Sequence, residues 1–230
     1  MEQQLTCDVC GLPMETGKEP VKLTCTFCGK IFESASYCAG GHHVCPECRN
    51  LEVPAVLEKV IASSTSPCPS EILEKVMAHP KLTMHGPNHH YIFPIVIITA
   101  AKNAGYEVPV EAIQQAMQRG LQVPGGWCGF CGACGGGVAL GIAVSALTMA
   151  TPLNGKKRSL SLEATSIALA RMADNGPRCC KKAGRIAMEV AVDFLNEKLG
   201  TKLEKGKRPE CFYSARNKEC VKKACPYYPV

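Results

Sequence analysis

A chain of 230 residues with 46% hydrophobic and 20% charged side chains is long enough to bury a substantial core and too apolar to be natively disordered. The formal charge of +6, from 26 basic and 20 acidic residues, is weak support for an anionic partner, because every metal-bound thiolate subtracts a charge. Sixteen cysteines exclude an ordinary globular class and require an explanation of their own.

A secreted disulfide framework is the plain alternative. The start, Met1-Glu2-Gln3-Gln4-Leu5, has neither the basic nor the apolar part of a signal peptide, and the cysteines fall in CxxC pairs beside Gly and His. That spacing belongs to metal ligands in a reducing compartment, so a cytoplasmic location is expected. The most apolar stretch, Val138 to Ala150, is shorter than a bilayer span, so no membrane association is expected.

Residues 1–50 form the first unit. Ligand candidates run Cys7-x2-Cys10, Cys25-x2-Cys28, Cys38-x3-His42 (or His43) and Cys45-x2-Cys48, enough for two tetrahedral zinc ions. Gly11 and Gly29 stand where a CxxC turn needs an unusual backbone angle. Short strand-like pieces such as Val21-Lys22-Leu23-Thr24 lie between the pairs, and the few large apolar residues cannot fold the segment without metal. Either successive pairs share an ion, or the first pair joins the third and the second joins the fourth.

Residues 51–200 read as all-helical. Val53, Val56, Leu57, Val60 and Ile61 keep helical spacing with Pro54 in the first turn; residues 62–69 break the helix; Ile72, Leu73, Val76 and Met77 mark the next. Further helices are expected over 91–104 and from Pro109 along a Val110, Ile113, Met117, Leu121 face. Residues 137–150, apolar all round, imply a central buried helix, and 161–173 and 181–199 complete the set, with Gly200 as the stop. A basic stretch, Lys198–Arg208, leads into a cysteine-bearing tail over 201–230. The expected fold class is mainly α, a helical domain with a small N-terminal β-rich zinc-binding module.

The segment from Gly125 to Gly137 places Cys128, Cys131 and Cys134 among glycines at the mouth of the buried helix, where free backbone N–H groups and the helix dipole favour anionic sulfur. Cys179 and Cys180 precede the last long helix, and Cys211, Cys220 and Cys225 lie in the tail. Together these thiols suit a [4Fe–4S] cluster, with a third zinc site as the alternative. The run His85-Gly86-Pro87-Asn88-His89-His90 offers metal ligands or general acid/base groups.

The CxxCG pairs, the YC-x3-HH-x-C-x2-C run, HGPNHH, CGxCGGG and GPRCCK together resemble a conserved-domain family of methanogens and other anaerobes, one without an assigned activity. A more distant likeness is to iron–sulfur L-serine dehydratases and cysteine desulfidases, whose helical catalytic domain bears a Gly-rich Cys at one helix start and further Cys downstream. Cys134 matches the first, and Cys179 and Cys180 follow it 45 and 46 residues later. His85-Gly86-Pro87 with Pro94 looks like their substrate loop. The chain departs from that pattern in having Ala191 in place of a further cysteine, so Cys128, Cys131 or a tail cysteine would replace it.

The resemblance implies a lyase, or equally a sulfur-handling enzyme whose cluster carries a labile sulfide, in which Cys128, Cys134 and Cys180 (or Cys179) hold an open-site cluster. One of His85, His89 and His90 would move the proton, and Arg178 and Lys181 would fix a carboxylate. A non-enzymatic accessory protein docking on a larger complex is the second expectation, and an oligomer is compatible with both. A nucleic-acid partner is the weakest, since only Phe27, Phe32 and Tyr37 in the module could stack on bases.

Overall fold

The computed structural model describes residues 5–174 and 176–229. The first unit is an antiparallel hairpin, β1 (Met14–Thr24) and β2 (Ile31–Cys38), followed by the short helix α1 (Pro46–Asn50). Pairing runs from Met14 opposite Cys38 to Thr24 opposite Ile31, with a bulge between Thr16 and Val21. Cys25-Thr26-Phe27-Cys28-Gly29-Lys30 closes the hairpin as a knuckle: Gly29 N–H donates to Cys25 O at 3.0 Å and Cys25 N–H to Lys30 O at 2.9 Å. Cys7 to Leu12 repeats that turn, with Gly11 N–H donating to Cys7 O at 2.8 Å. Gly11 and Gly29 adopt φ of 77° and 72°, the left-handed region a side chain disfavours.

The expected helices follow as α2 (Val53–Ser63), α3 (Pro69–Met77), α4 (Asn88–Asn103), α5 (Ala112–Leu121), α7 (Gly135–Thr148), α8 (Gly155–Met172) and α9 (Cys180–Leu199), and the single turn α6 (Trp127–Phe130) adds to them. The protein is mainly α with a small N-terminal sheet. The apolar α7 is central and packs on α4, α5, α8 and α9. Helix α8 begins six residues before the apolar pattern does, because Asn154 caps it by accepting from Lys157 N–H at 3.2 Å.

Two features of α4 and α5 differ from the sequence pattern. Pro94 lies inside α4, not at its start, and has no N–H to donate back to His90 O. Helix α5 buries Ala112, Ala116 and Gly120, while Val110 and Leu121 are exposed. Close backbone approach selects that face: a Cβ at Gly120 would stand 2.5 Å from Tyr91 Cα and 2.7 Å from His90 O.

Residues beyond Gly200 are not a loose tail. Tyr213 and Tyr227 are buried, and Tyr227 donates to Glu189 of α9 at 2.8 Å. Arg185 of α9 lies over both rings, at 5.8 and 5.3 Å, and pairs bidentately with Glu74 of α3. The N-terminal unit docks at the end of α3, where Phe27 meets His79 edge-on at 4.9 Å and His79 Nε2–H donates to Cys48 O at 2.9 Å. Among the described residues no helix is long and apolar enough to cross a membrane.

Candidate functional site

The N-terminal cysteines resolve into two interleaved sets. Cys7, Cys10, Cys38 and His42 form one; Cys25, Cys28, Cys45 and Cys48 form the other; within each, the ligand atoms lie within 4.8 Å of one another. Four ligands on one tetrahedral ion with metal–sulfur bonds of ~2.3 Å require a similar compactness. First therefore joins third and second joins fourth. The hairpin explains why: its knuckle holds Cys25 and Cys28 at the turn end, and Cys38 lies across from Met14 at the open end.

Backbone donors prepare the sulfurs. Burial opposes ionisation of Cys25, but N–H groups of Cys45, Cys28 and Phe27 bring its thiol down to about 7. Against the same opposition, His42 and the Gly40 N–H bring Cys38 to about 7. Both sets could hold a metal ion such as zinc.

His43 is not part of either set. Its ring packs on Phe32 at 5.4 Å, and its Nε2 is buried without a hydrogen-bond partner. The glycine turn at Gly40-Gly41, with Gly41 at φ 73°, aims His42 and not its neighbour at Cys38, 3.6 Å away. Phe27 is 1% exposed, so it is not available to stack on a base.

The second site is a cavity of about 930 Å³ in the helical domain. Three long helices begin at its wall: α4 contributes His89 and His90, α7 brings Cys134 as its N-cap with Gly135 and Gly136, and α9 brings Cys179 as its N-cap and Cys180 as its first residue. Cys128, on α6, completes the thiols that line it. Burial pushes Cys134 and Cys180 up, and the charges of Cys128 on Cys134, and of Cys134 and Cys128 on Cys180, add to that rise.

Histidine orientation follows from backbone partners. A carbonyl only accepts, so Nδ1 of His89 (3.0 Å from Gly86 O) and Nδ1 of His90 (2.8 Å from Val123 O) carry the protons, leaving each Nε2 lone pair free. His89 Nε2 is buried without a partner, and burial, with the Lys181 charge beside it, lowers this ring to about 3. His90 lies on the start of α7: a Cβ at Gly135 would meet its Cδ2 at 2.1 Å, so only glycine leaves room for the ring. His85 faces the C-terminal segment, with Nε2 3.3 Å from both Asn217 Oδ1 and Glu219 Oε2.

Several expected residues are elsewhere. Lys181 points away from the cavity; its Nζ donates to Met77 O at 3.4 Å and lies 4.8 Å over the Tyr213 ring. One step along the helix turns Lys182 into the cavity wall instead, paired with Asp174. Arg178 lines the cavity, 3.5 Å from Glu219. Cys131 is exposed and does not line it. Cys211, Cys220 and Cys225 line a separate smaller cavity, which Cys179 also borders. Sequence reasoning missed Asp174, Asn217 and Glu219; isolated polar residues in loops carry no spacing signal.

The profile of a family of unknown function, DUF5714, matches residues 57–228. The chain belongs to the DUF5714 family. No curated protein and no solved structure matches the chain. These comparisons agree with a conserved-domain family and lend no support to the L-serine dehydratase likeness. The DUF5714 region holds both cysteine-lined cavities and leaves out the N-terminal metal-ligand sets.

Proposed function

We propose that the protein is an iron–sulfur enzyme whose large cavity holds a [4Fe–4S] cluster on Cys128, Cys134 and Cys180, with one iron left open to a small hydroxy or thiol acid. The observation that supports this reading is the convergence of four thiols, three helix N-termini and two oriented imidazoles on one cavity of about 930 Å³. Helix N-termini favour an anionic occupant, and the volume suits a cluster with a small substrate beside it. Spacing argues against zinc here: among the described residues, only the two N-terminal sets bring three or more ligand atoms within 4.8 Å. A cubane spreads its thiolates over separate irons and accepts wider spacing.

A cluster held by Cys128, Cys134 and Cys180 would supply a Lewis acid for a departing hydroxyl or thiol. The chain supplies the rest. His90 Nε2 takes the substrate's C–H proton, and that electron pair forms the double bond as the C–O or C–S bond breaks. Arg178 holds the carboxylate by its fork, and Lys182 replaces Lys181 as the second cation on the wall. The leaving hydroxide or hydrosulfide takes the proton back from His90 and departs as water or hydrogen sulfide, which restores the neutral imidazole.

Anaerobically purified protein is tested with a panel of small hydroxy and thiol acids. Turnover of one member is expected; His90→Gln lowers its rate about 10²–10⁴-fold with iron retained, while Cys180→Ser removes the pocket iron and the activity together. An iron-free native protein, or a cluster whose EPR spectrum no acid in the panel perturbs, contradicts the reading.

A second reading keeps the metals and omits turnover: an accessory protein that docks on a larger complex through its N-terminal module. It is favoured by the family match beginning at residue 57, which leaves that module outside the shared region.

A further inference from the structure

The adjacent cysteines Cys179 and Cys180 reach two adjoining cavities: Cys180 lines the large one, whereas Cys179 lines both. Cys179, Cys211, Cys220 and Cys225 line one small cavity, walled by Tyr213, Tyr228 and Val221 on one side and by Lys182 and Arg185 of α9 on the other. None of the four is in a disulfide.

The surroundings are those of bound anionic sulfur. Lys182 N–H donates to Cys179 Sγ at 3.5 Å and Asn217 Nδ2 to the same sulfur at 3.8 Å. Lys222 N–H donates to Cys220 Sγ at 3.3 Å from a residue at φ 50°, a conformation non-glycine residues adopt at a cost. Arg185 and Lys182 bring two cations to the wall. Hydrogen bonds to sulfur and nearby charge are the levers by which proteins stabilise and tune iron–sulfur clusters. The four thiols are also too widely spaced for one ion, since no three of them fall within 4.8 Å.

We infer that the C-terminal segment is a second metal site, where Cys179, Cys211, Cys220 and Cys225 hold a coordinatively closed [4Fe–4S] cluster beside the cavity containing Cys180. All four irons would have a thiolate, so this cluster binds no substrate and its role is to fix the C-terminal segment against α9. Consecutive residues have Cα atoms only ~3.8 Å apart, so thiolates from Cys179 and Cys180 place the two cofactors side by side. The closed cluster stands by itself; its pairing with a neighbouring cluster rests on the proposed pocket cluster.

Iron and acid-labile sulfide are counted on the anaerobic full-length chain, native and with Cys134→Ser or Cys220→Ser, and EPR is recorded after dithionite reduction. About eight irons are expected in the native chain and about four in each variant. Spin coupling between the reduced clusters is expected in the native protein and in neither variant. Cys134→Ser protein that keeps its helicity and zinc but holds no iron overturns the inference, as does zinc in place of iron on the tail cysteines. If Cys220→Ser alone fails to fold, the Cys134→Ser count still decides. Native protein with about four irons that Cys220→Ser removes and Cys134→Ser leaves upholds the tail cluster and overturns the pocket reading instead.

Discussion

Cys45→Ala is expected to release one zinc ion per chain and unravel the N-terminal module, while α4, α7 and α9 stay helical. Cys45 is fully buried, caps α1 by accepting from Cys48 N–H at 3.4 Å, and lies 3.9 Å from Cys28 Sγ across the second ligand set. The apolar residues buried in that unit are few, chiefly Val9, Leu23, Phe27 and Val44. A structural zinc ion contributes about 10–16 kcal/mol of apparent binding energy, as much as the whole stability of a typical domain, about 5–15 kcal/mol. Losing one ion frees the turn end of the hairpin and the α1 segment that covers His79. Zinc analysis with limited proteolysis checks this. Cleavage should concentrate before residue 51, and a variant that keeps both zinc ions and its protease resistance would refute it.

Glu74→Ala should cost about 3–5 kcal/mol, the usual penalty for leaving a buried charge without its partner. Arg185 is 2% exposed, with Nε 2.7 Å from Glu74 Oε1 and a terminal nitrogen 2.9 Å from Oε2. The rings of Tyr213 and Tyr227 beside it, like Cys211 with which it shares a cavity wall, lie on the C-terminal segment, so the pair joins α3, α9 and that segment. Thermal unfolding is expected to drop by roughly 10 °C, and the double replacement Glu74→Leu with Arg185→Met to recover most of it, because no charge is then stranded. A drop equal in the single and double variants would show that the packing around Arg185, and not its charge, holds the segment.

Much of this architecture is legible in the sequence because periodicity and ligand spacing are local. The apolar run before Ala150 could only be a buried helix, and four Cys/His pairs could only be two ions. The pairing was not legible: it depends on where the hairpin brings Cys38, a property of register. Residues that distinguish contacts one position apart were equally hidden. His42 and His43, or Lys181 and Lys182, are alike in composition, and a turn or a 100° step along a helix decides which one faces the site. Helix α5 shows the opposite failure. Its large apolar residues suggested the buried face, yet Gly120 lets α4 approach so closely that Ala112 and Ala116 are buried instead. The tail reads as one more source of ligands for a single site, because nothing in sequence says that Cys179 also borders a second cavity with Cys211, Cys220 and Cys225.

Counting iron, zinc and acid-labile sulfide per chain on anaerobically purified native protein tests the assignment of the cysteines most directly. Two zinc ions, one for each compact set, with iron and sulfide in equal amounts and a brown absorbance near ~400 nm, are expected. A colourless protein carrying zinc alone would contradict it.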